Sequence, residues 1–436
     1  MLDTWFSSQL WPFATQGWAE GDADGELAKY YPTQVLSTAR DIMGLWVARM
    51  VMASEYCMGQ IPFEDVLIHP TVMGADGKPM SKSRGNGVDP IDLINEYGAD
   101  AMRFGLLTQV TGTQAMRFDK QKIETARNFA NKIRNASRFV MMNMEGVEPH
   151  EITPNTEKDV DKWIMARLAA LIEKVDAAYK TYDFGEITKA LYAFFWNEFC
   201  DWYIEFSKSR LNGTDEADKT VCQDNLLYVL EMSLRLLHPI MPFVTEEIYG
   251  ELPVKRETEH LIMAAWPDAS DFASFRDAAS EKSIATVCDI VGSVRSIRAR
   301  YGLSRKQALD VVVKPADTQT GNMISAQSEL INRLANISAL SVDVNVQKPE
   351  SSSVVVVNNI EIYIILEGFV DLEAEKARLT KELQALEKDE QMFSKKLSNP
   401  GFLQNAKPEV IEKDKAKLAK IQESISLLNT QIEELG

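Results

Sequence analysis

The stretch Asp76 to Asn86, Asp-Gly-Lys-Pro-Met-Ser-Lys-Ser-Arg-Gly-Asn, gathers side chains suited to phosphate chemistry. Lys78, Lys82 and Arg84 bring cations, Ser81 and Ser83 bring hydroxyls, and Gly74, Gly77, Gly85 and Gly87 punctuate the segment. A short loop of this kind can neutralise charge that grows on a polyphosphate, stabilising the transition state more than the ground state. A solvated basic turn has the same composition, because short Lys/Ser motifs recur by accident. The surroundings argue for the first reading. The strand-like run Asp65-Val66-Leu67-Ile68-His69 precedes the loop, and Asp89-Pro90 opens a helix after it. Ligands of parallel α/β sheets collect at the carboxyl ends of strands, where this loop falls.

The elements that must position the loop lie on both sides of it. Residues 32–38 read as a strand and Asp41 to Cys57 as the helix that follows. Asp41, at the strand-to-helix transition, suits either a helix cap or a hydrogen bond to ribose hydroxyls. His69, at the end of its strand, has the same two readings, structural or ligand-facing. Trp46 shares a helix face with Ile42, Leu45 and Met50, so one account of it is a core aromatic.

At Met80-Ser81-Lys82-Ser83 the sequence resembles class I aminoacyl-tRNA synthetases, whose signature loop is Lys-Met-Ser-Lys-Ser. Pro79 stands where the first Lys is expected, and Lys78 lies one position earlier. Asp3-Thr4-Trp5-Phe6-Ser7-Ser8, Leu10-Trp11-Pro12-Phe13 and Trp46-Val47-Ala48-Arg49-Met50 look like the valyl branch of that family. The resemblance implies catalytic roles for Lys82, Ser81 and Ser83, and ATP contacts from Asp41, His69, Met80 and Lys82. It implies a valine pocket walled by Trp5 and Trp46, and magnesium arriving with ATP. Ala39 and Pro70 replace glycines of the family pattern beside Asp41 and His69. Rigid aromatic walls fit a small branched side chain, but one methylene discriminates by only about 1–3 kcal/mol, which is why such enzymes add editing.

Beyond the loop, a helix is expected from Arg117-Phe118-Asp119 to about Asn143, with Lys122, Arg127, Lys132, Arg134 and Arg138 and no acid after Glu124. A solvated face and a phosphate-facing surface explain it equally well. Gly146 to Lys158 is an acidic connector, and the patterns 161–181, 184–211 and 217–249 read as an antiparallel helical bundle. The aromatics Phe194, Phe195, Trp196, Phe199, Trp202, Tyr203 and Phe206 are dense enough to be mostly core. His238-Pro239-Ile240-Met241-Pro242-Phe243 is a turn entering a helix, and His238 reads as structural. Residues 261–367 look mixed α/β, with strands expected at 309–313, 340–346, 354–357 and 360–366.

Leu372, Leu379, Leu386 and Phe393, with Leu383 and Leu397 at the intermediate seam, then Ile411, Leu418, Ile425 and Ile432, interleaved with Ile421, Leu428 and Leu435, follow a seven-residue repeat on either side of Asn399-Pro400-Gly401. They fit an antiparallel coiled-coil hairpin or a dimerisation hairpin. Lysines cluster towards the turn, including Lys413 and Lys417. By resemblance, Arg127, Lys132, Arg134, Lys413 and Lys417 touch tRNA.

The chain has 436 residues, 45% apolar, and a formal charge of -17. That balance excludes a protein that wraps nucleic acid without a localised cationic surface. Its four cysteines form no Cys-x-x-Cys pair, so neither a bound zinc nor a disulfide framework is expected. No apolar run reaches membrane length, and a cytoplasmic location is the default.

The expected architecture is multidomain, α/β plus all-α. It comprises a partial Rossmann-like catalytic fold (1–110, signature loop 78–83), a stem-contact region (111–145), an anticodon-binding bundle (146–260), a small α/β domain (261–367) and a coiled-coil arm (368–436). His69, His150, His238 and His260 are the only histidines, so the family's His-Ile-Gly-His element is missing. The expectation is a carboxyl-terminal portion of a valine–tRNA ligase that is catalytically incomplete alone and acts on ATP, valine and its tRNA. The alternatives are a tRNA-binding module without chemistry, or one chain of a split enzyme completed by an amino-terminal half; otherwise the chain is expected to be a monomer.

Overall fold

The computed structural model describes residues 3–18, 25–81, 84–112, 114–369, 372–399 and 408–434, though not every side chain of the last two helices. The chain divides into two compact units, Met1–Asp277 and Ala278–Gly436.

The first unit opens with α1 (Thr4–Ala14), whose N-cap Asp3 accepts the Trp5 N–H at 2.8 Å. The short α2 (Glu26–Tyr30) leads to β1 (Thr33–Thr38). The single helix expected from Asp41 is wound in three ways: a 3-10 turn at Arg40–Ile42, a π turn at Met43–Val47, then α3 (Ala48–Met58). Gly44 lies in the π turn, and a residue without a Cβ makes departure from the α ladder cheaper. β2 (Phe63–Ile68) pairs parallel with β1, from Thr33 opposite Phe63 to Thr38 opposite Ile68. Leu36, Val47, Met50 and Phe63 form the core beneath these strands, with Met43 and Trp46 packed against it. Parallel strands are normally covered on both faces. Here Val35 and Val66 remain 41% and 37% exposed.

A second two-stranded sheet carries the loop. β3 (Val72–Met73) pairs with β4 (Met116–Arg117) in parallel, with α4 (Pro90–Tyr97) and α5 (Ala99–Leu107) between them. Arg117 is therefore a strand residue and not a helix start. The next helix, α6 (Lys120–Met142), begins behind Asp119, whose carboxylate accepts the Gln121 N–H.

The bundle comprises α7 (Asp159–Lys180), α8 (Phe184–Tyr192), a π-wound segment Ala193–Tyr203 continuing into α9 (Ile204–Leu211), α10 (Glu216–Leu237), α11 (Pro242–Glu251) and the short α12 (Ala269–Phe272). The pattern over 217–249 breaks at His238–Met241, where Pro242 takes the first turn of α11. Phe194, Phe195, Phe199, Tyr203 and Phe206 are buried, as their density implies. The compact unit runs past the expected boundary at 260. Trp266 donates its indole N–H to Asp176 at 2.8 Å and meets Tyr179 edge-on, tying residues 261–277 to α7.

His150 ties the connector to α10 through Asp224 at 2.9 Å. Its bond to the Glu148 carbonyl, and then that carboxylate, raise its pKa above the ordinary imidazole value. A raised folded pKa stabilises below the unfolded value and loses that stabilisation as pH rises through the folded one. His150→Gln should therefore lose stability at about pH 5 but not at about pH 8, by no more than about 1 kcal/mol after solvent screening. Urea melts at the two pH values check this; an equal loss at both would rule it out.

In the second unit, α13 (Ala278–Arg300) packs on a four-stranded sheet of order β6-β5-β8-β7. The elements are β5 (Leu309–Lys314), α14 (Thr318–Ala326), α15 (Ser328–Ala335), β6 (Ile337–Val342), β7 (Ser352–Val357) and β8 (Ile360–Ile365). β5 and β6 are parallel and the other pairs antiparallel. The strand expected to reach Val346 stops at Val342, because Asp343 accepts the Asn345 N–H and turns the chain. Arg298 is structural: its guanidinium donates to the carbonyls of Ser304, Ala335 and Asn336.

The unit ends in α16 (Leu372–Leu397) and α17 (Pro408–Glu434). Gln422 bonds Glu390, Lys396 pairs with Asp414 at 2.8 Å, and Lys417 lies over Phe393, so the two helices run in opposite directions. Leu379 and Leu428 of the expected seam are 4% and 8% exposed.

Candidate functional site

The candidate phosphate loop is a built structure at both ends. Met73 and Pro79 form an antiparallel bridge, and the Gly74 N–H donates to the Lys78 carbonyl at 2.8 Å. Asp76 turns the tip by accepting the Lys78 N–H. Gly77 sits at φ 73, and a Cβ there would meet the Arg117 guanidinium at 2.8 Å. Glycine thus allows the left-handed turn and also lets β4 bring Arg117 against the loop.

On the far side, Asn86 accepts the Ser81 N–H at 3.0 Å and donates its amide to the Pro79 carbonyl at 3.3 Å. Arg84 also donates to the Pro79 carbonyl. Two side chains thus converge on the backbone carbonyl of Pro79, the residue that stands in place of a signature lysine. Met80 and Ser81 are half-buried between these ties. Lys82 and Ser83 lie outside the described residues. Asn86 and Arg117 were not among the expected site residues; the Gly85-Asn86-Gly87 break was the one local signal for the former, and none marks the latter.

Of the other candidates, Asp41, Trp46 and His69 lie near β1, and Trp5 lies on α1. Asp41 is exposed within the 3-10 turn, and the N-cap position there is Ala39 without a side-chain cap, so the capping role is set aside. Trp5 on α1 lies 6.0 Å from the Arg49 guanidinium of α3, while Trp46 packs on the core beneath the strands. His69 is exposed, with its ring Nδ1 at 3.2 Å from the Pro70 carbonyl, and its backbone N–H donates to the Thr38 carbonyl. The loop departs from the carboxyl end of β2 but belongs to the β3–β4 ladder, not to the β1–β2 sheet. Among the described residues no group of three His, Cys, Asp or Glu side chains could hold a metal ion.

The cationic face of α6 is partly neutralised by other helices. Lys132 pairs with Asp201 at 2.9 Å and lies over Trp196, and Arg134 pairs with Glu247 at 2.6 Å. Arg127 lies over the Tyr97 ring at 5.4 Å. On α17, Lys417 is exposed beside Phe393, and the Lys413 side chain lies outside the described residues. His238 faces Thr245 at 2.8 Å, and burial lowers its pKa, which fits a structural role.

Three family models match in order: tRNA synthetases class I (I, L, M and V) over residues 1–119, the anticodon-binding domain of tRNA ligase over 161–313, and the valyl tRNA synthetase tRNA binding arm over 371–436. Valine–tRNA ligase of Petrotoga mobilis is 41% identical and that of Geobacillus kaustophilus 42% identical, each across all of this chain and 49% of its own length. Along its whole length the chain is similar to valine–tRNA ligases. It spans about half the length of these curated relatives, which agrees with the expected carboxyl-terminal portion. Among solved structures, a LeuRS in a LeuRS-tRNA-LeuAMS ternary complex from Agrobacterium radiobacter aligns with TM-score 0.51 at 19% identity, covering 64% of this chain and 34% of that one. That likeness concerns the fold alone. No helix among the described residues is long and apolar enough to cross a membrane.

Proposed function

We propose that the chain serves as the tRNA-holding and loop-bearing portion of a cytoplasmic, ATP-dependent valine–tRNA ligase. The observation that carries this reading is the end-to-end similarity to valine–tRNA ligases, at 41–42% identity, with anticodon-binding and tRNA-arm models matched in order. In the reaction, the valine carboxylate attacks the α-phosphorus of ATP and expels pyrophosphate, and a ribose hydroxyl of the terminal adenosine of the tRNA then takes the valyl group from the valyl-adenylate, releasing AMP. Magnesium enters with the nucleotide as part of the substrate. The loop would hold the departing diphosphate with Lys82, Ser81 and Ser83, with Arg117 adding charge from β4; Met80, Asp41 and His69 would border ATP, and Trp5 and Trp46 valine.

Within this reading, residues 1–110 are the Rossmann-like part, 111–145 the stem contact, the bundle reads the anticodon end, and α16 with α17 form the coiled-coil arm. The exposed Val35 and Val66 support an amino-terminal half completing the β1–β2 sheet.

Filter binding of valine-accepting tRNA across a salt series tests the binding role. Retention should fall steadily as salt rises, because phosphate contacts release counterions. No retention at low salt would defeat the reading. Valine-dependent ATP/pyrophosphate exchange is expected only when an amino-terminal half is added. Exchange by the chain alone would overturn the division of labour, and tRNA retention without exchange in the mixture would leave a binding module.

A further inference from the structure

Where α4, α5, α6 and α11 meet, a cavity of about 240 Å³ opens to solvent, bordered by Tyr97, Asp100, Arg127, Asn131, Arg134 and Phe243. Pockets for drug-sized molecules begin at roughly 300 Å³. This one fits a portion of a larger ligand better than a free metabolite.

Its donors share one helix face, since Arg127, Asn131 and Arg134 sit four and seven residues apart on α6. Among the described residues no carboxylate lies within ion-pair distance of Arg127, whose guanidinium is steadied by the Tyr97 ring. Arg134 is held at the rim by Glu247.

The acid in the cavity lining already has donors of its own. Asp100, 8% exposed, accepts the Phe243 and Val244 N–H groups at 3.2 and 2.7 Å, so its charge is spent on the amino-terminal end of α11. The same two bonds hold Phe243 at the mouth, where the residue is 66% exposed. A flat apolar ring beside a guanidinium and an amide is the combination that holds a nucleoside and its phosphate.

We propose that this notch binds one backbone phosphate of tRNA on Arg127 and Asn131, with the adjoining nucleoside packed against Phe243. The proposal rests on the tRNA-binding reading above and adds a specific subsite to it.

The test uses the full chain and valine-accepting tRNA in filter binding over a salt series. Arg127→Gln should make the slope of log K against log salt shallower by about 0.7–0.9, the value of one phosphate. Phe243→Ala should weaken binding about 5- to 100-fold at every salt concentration while leaving the slope unchanged. Phe243→Trp, which keeps a stacking face, should bind as the parent does. If the parent binds and all three variants match it, the notch is wrong and the tRNA reading survives; if the parent binds no tRNA, both fall. A photoreactive benzoylphenylalanine at position 243 gives a second readout that does not depend on affinity. It should crosslink to tRNA, and absence of crosslinking under saturating conditions would also overturn the proposal.

Discussion

Arg210→Met is expected to cost the bundle about 3–5 kcal/mol, the penalty for stranding a buried charge. The guanidinium Nη1 lies 2.9 Å from both oxygens of Asp161, while Nε and Nη2 donate to Asp218 at 3.0 and 2.8 Å. Asp161 is fully buried, and Tyr203 donates its hydroxyl to it at 2.7 Å. Burial first, and then the Asp161 charge, hold Tyr203 well above its ordinary pKa, so it stays a donor. Remove the arginine and Tyr203 alone faces a carboxylate shielded from solvent. Asp218 suffers less, because Lys158 also pairs with it at 2.7 Å.

The double variant Asp161→Asn with Arg210→Met should recover a substantial part of the loss, since the buried charge goes with its partner. Urea unfolding of the two variants and the parent measures both quantities. A single-variant cost below about 1 kcal/mol, the worth of an exposed pair, would show that the network carries no more than a surface contact does.

Gly185→Ala should destabilise the junction between α5 and α8 by about 1–3 kcal/mol or more. A Cβ built at Gly185 falls 2.1 Å from the Val110 carbonyl oxygen. That neighbour is backbone, so no side-chain rotation relieves the clash. Val110 is itself held in the turn after α5 by its N–H bond to Leu107, and Asp183 caps α8 by accepting the Glu186 N–H. Both sides of the contact are therefore braced.

Gly250→Ala is the matched control. Gly250 lies exposed in α11, and a Cβ added there would meet nothing within 4 Å, so alanine should be neutral or stabilising by up to about 1 kcal/mol. Thermal melts of the two variants decide the matter; equal melting temperatures would show that α8 relaxes away from Val110 without cost.

Local chemistry was legible in the residues themselves. Asp89-Pro90 marks a helix start because a carboxylate and a proline satisfy the first turn without help from elsewhere. The seven-residue repeats place Leu379 and Leu428 in the shielded seam because periodicity is a property of the chain alone. The signature-like loop and the aromatic runs around Trp5 and Trp46 led to the family for the same reason: their information is contiguous.

Tertiary structure decided which charges are spoken for. The stretch after Glu124 has no acid of its own, yet Asp201 and Glu247, about 70 and 110 residues away, neutralise Lys132 and Arg134 and leave Arg127 facing the cavity. Arg117 reaches Gly77, Asp100 meets Phe243, and Arg210 joins Asp161 to Asp218 only once the helices have packed. Periodicity says which face of an element is polar. Coulomb interactions and desolvation depend on distances between separate elements, and those distances exist only in the folded chain.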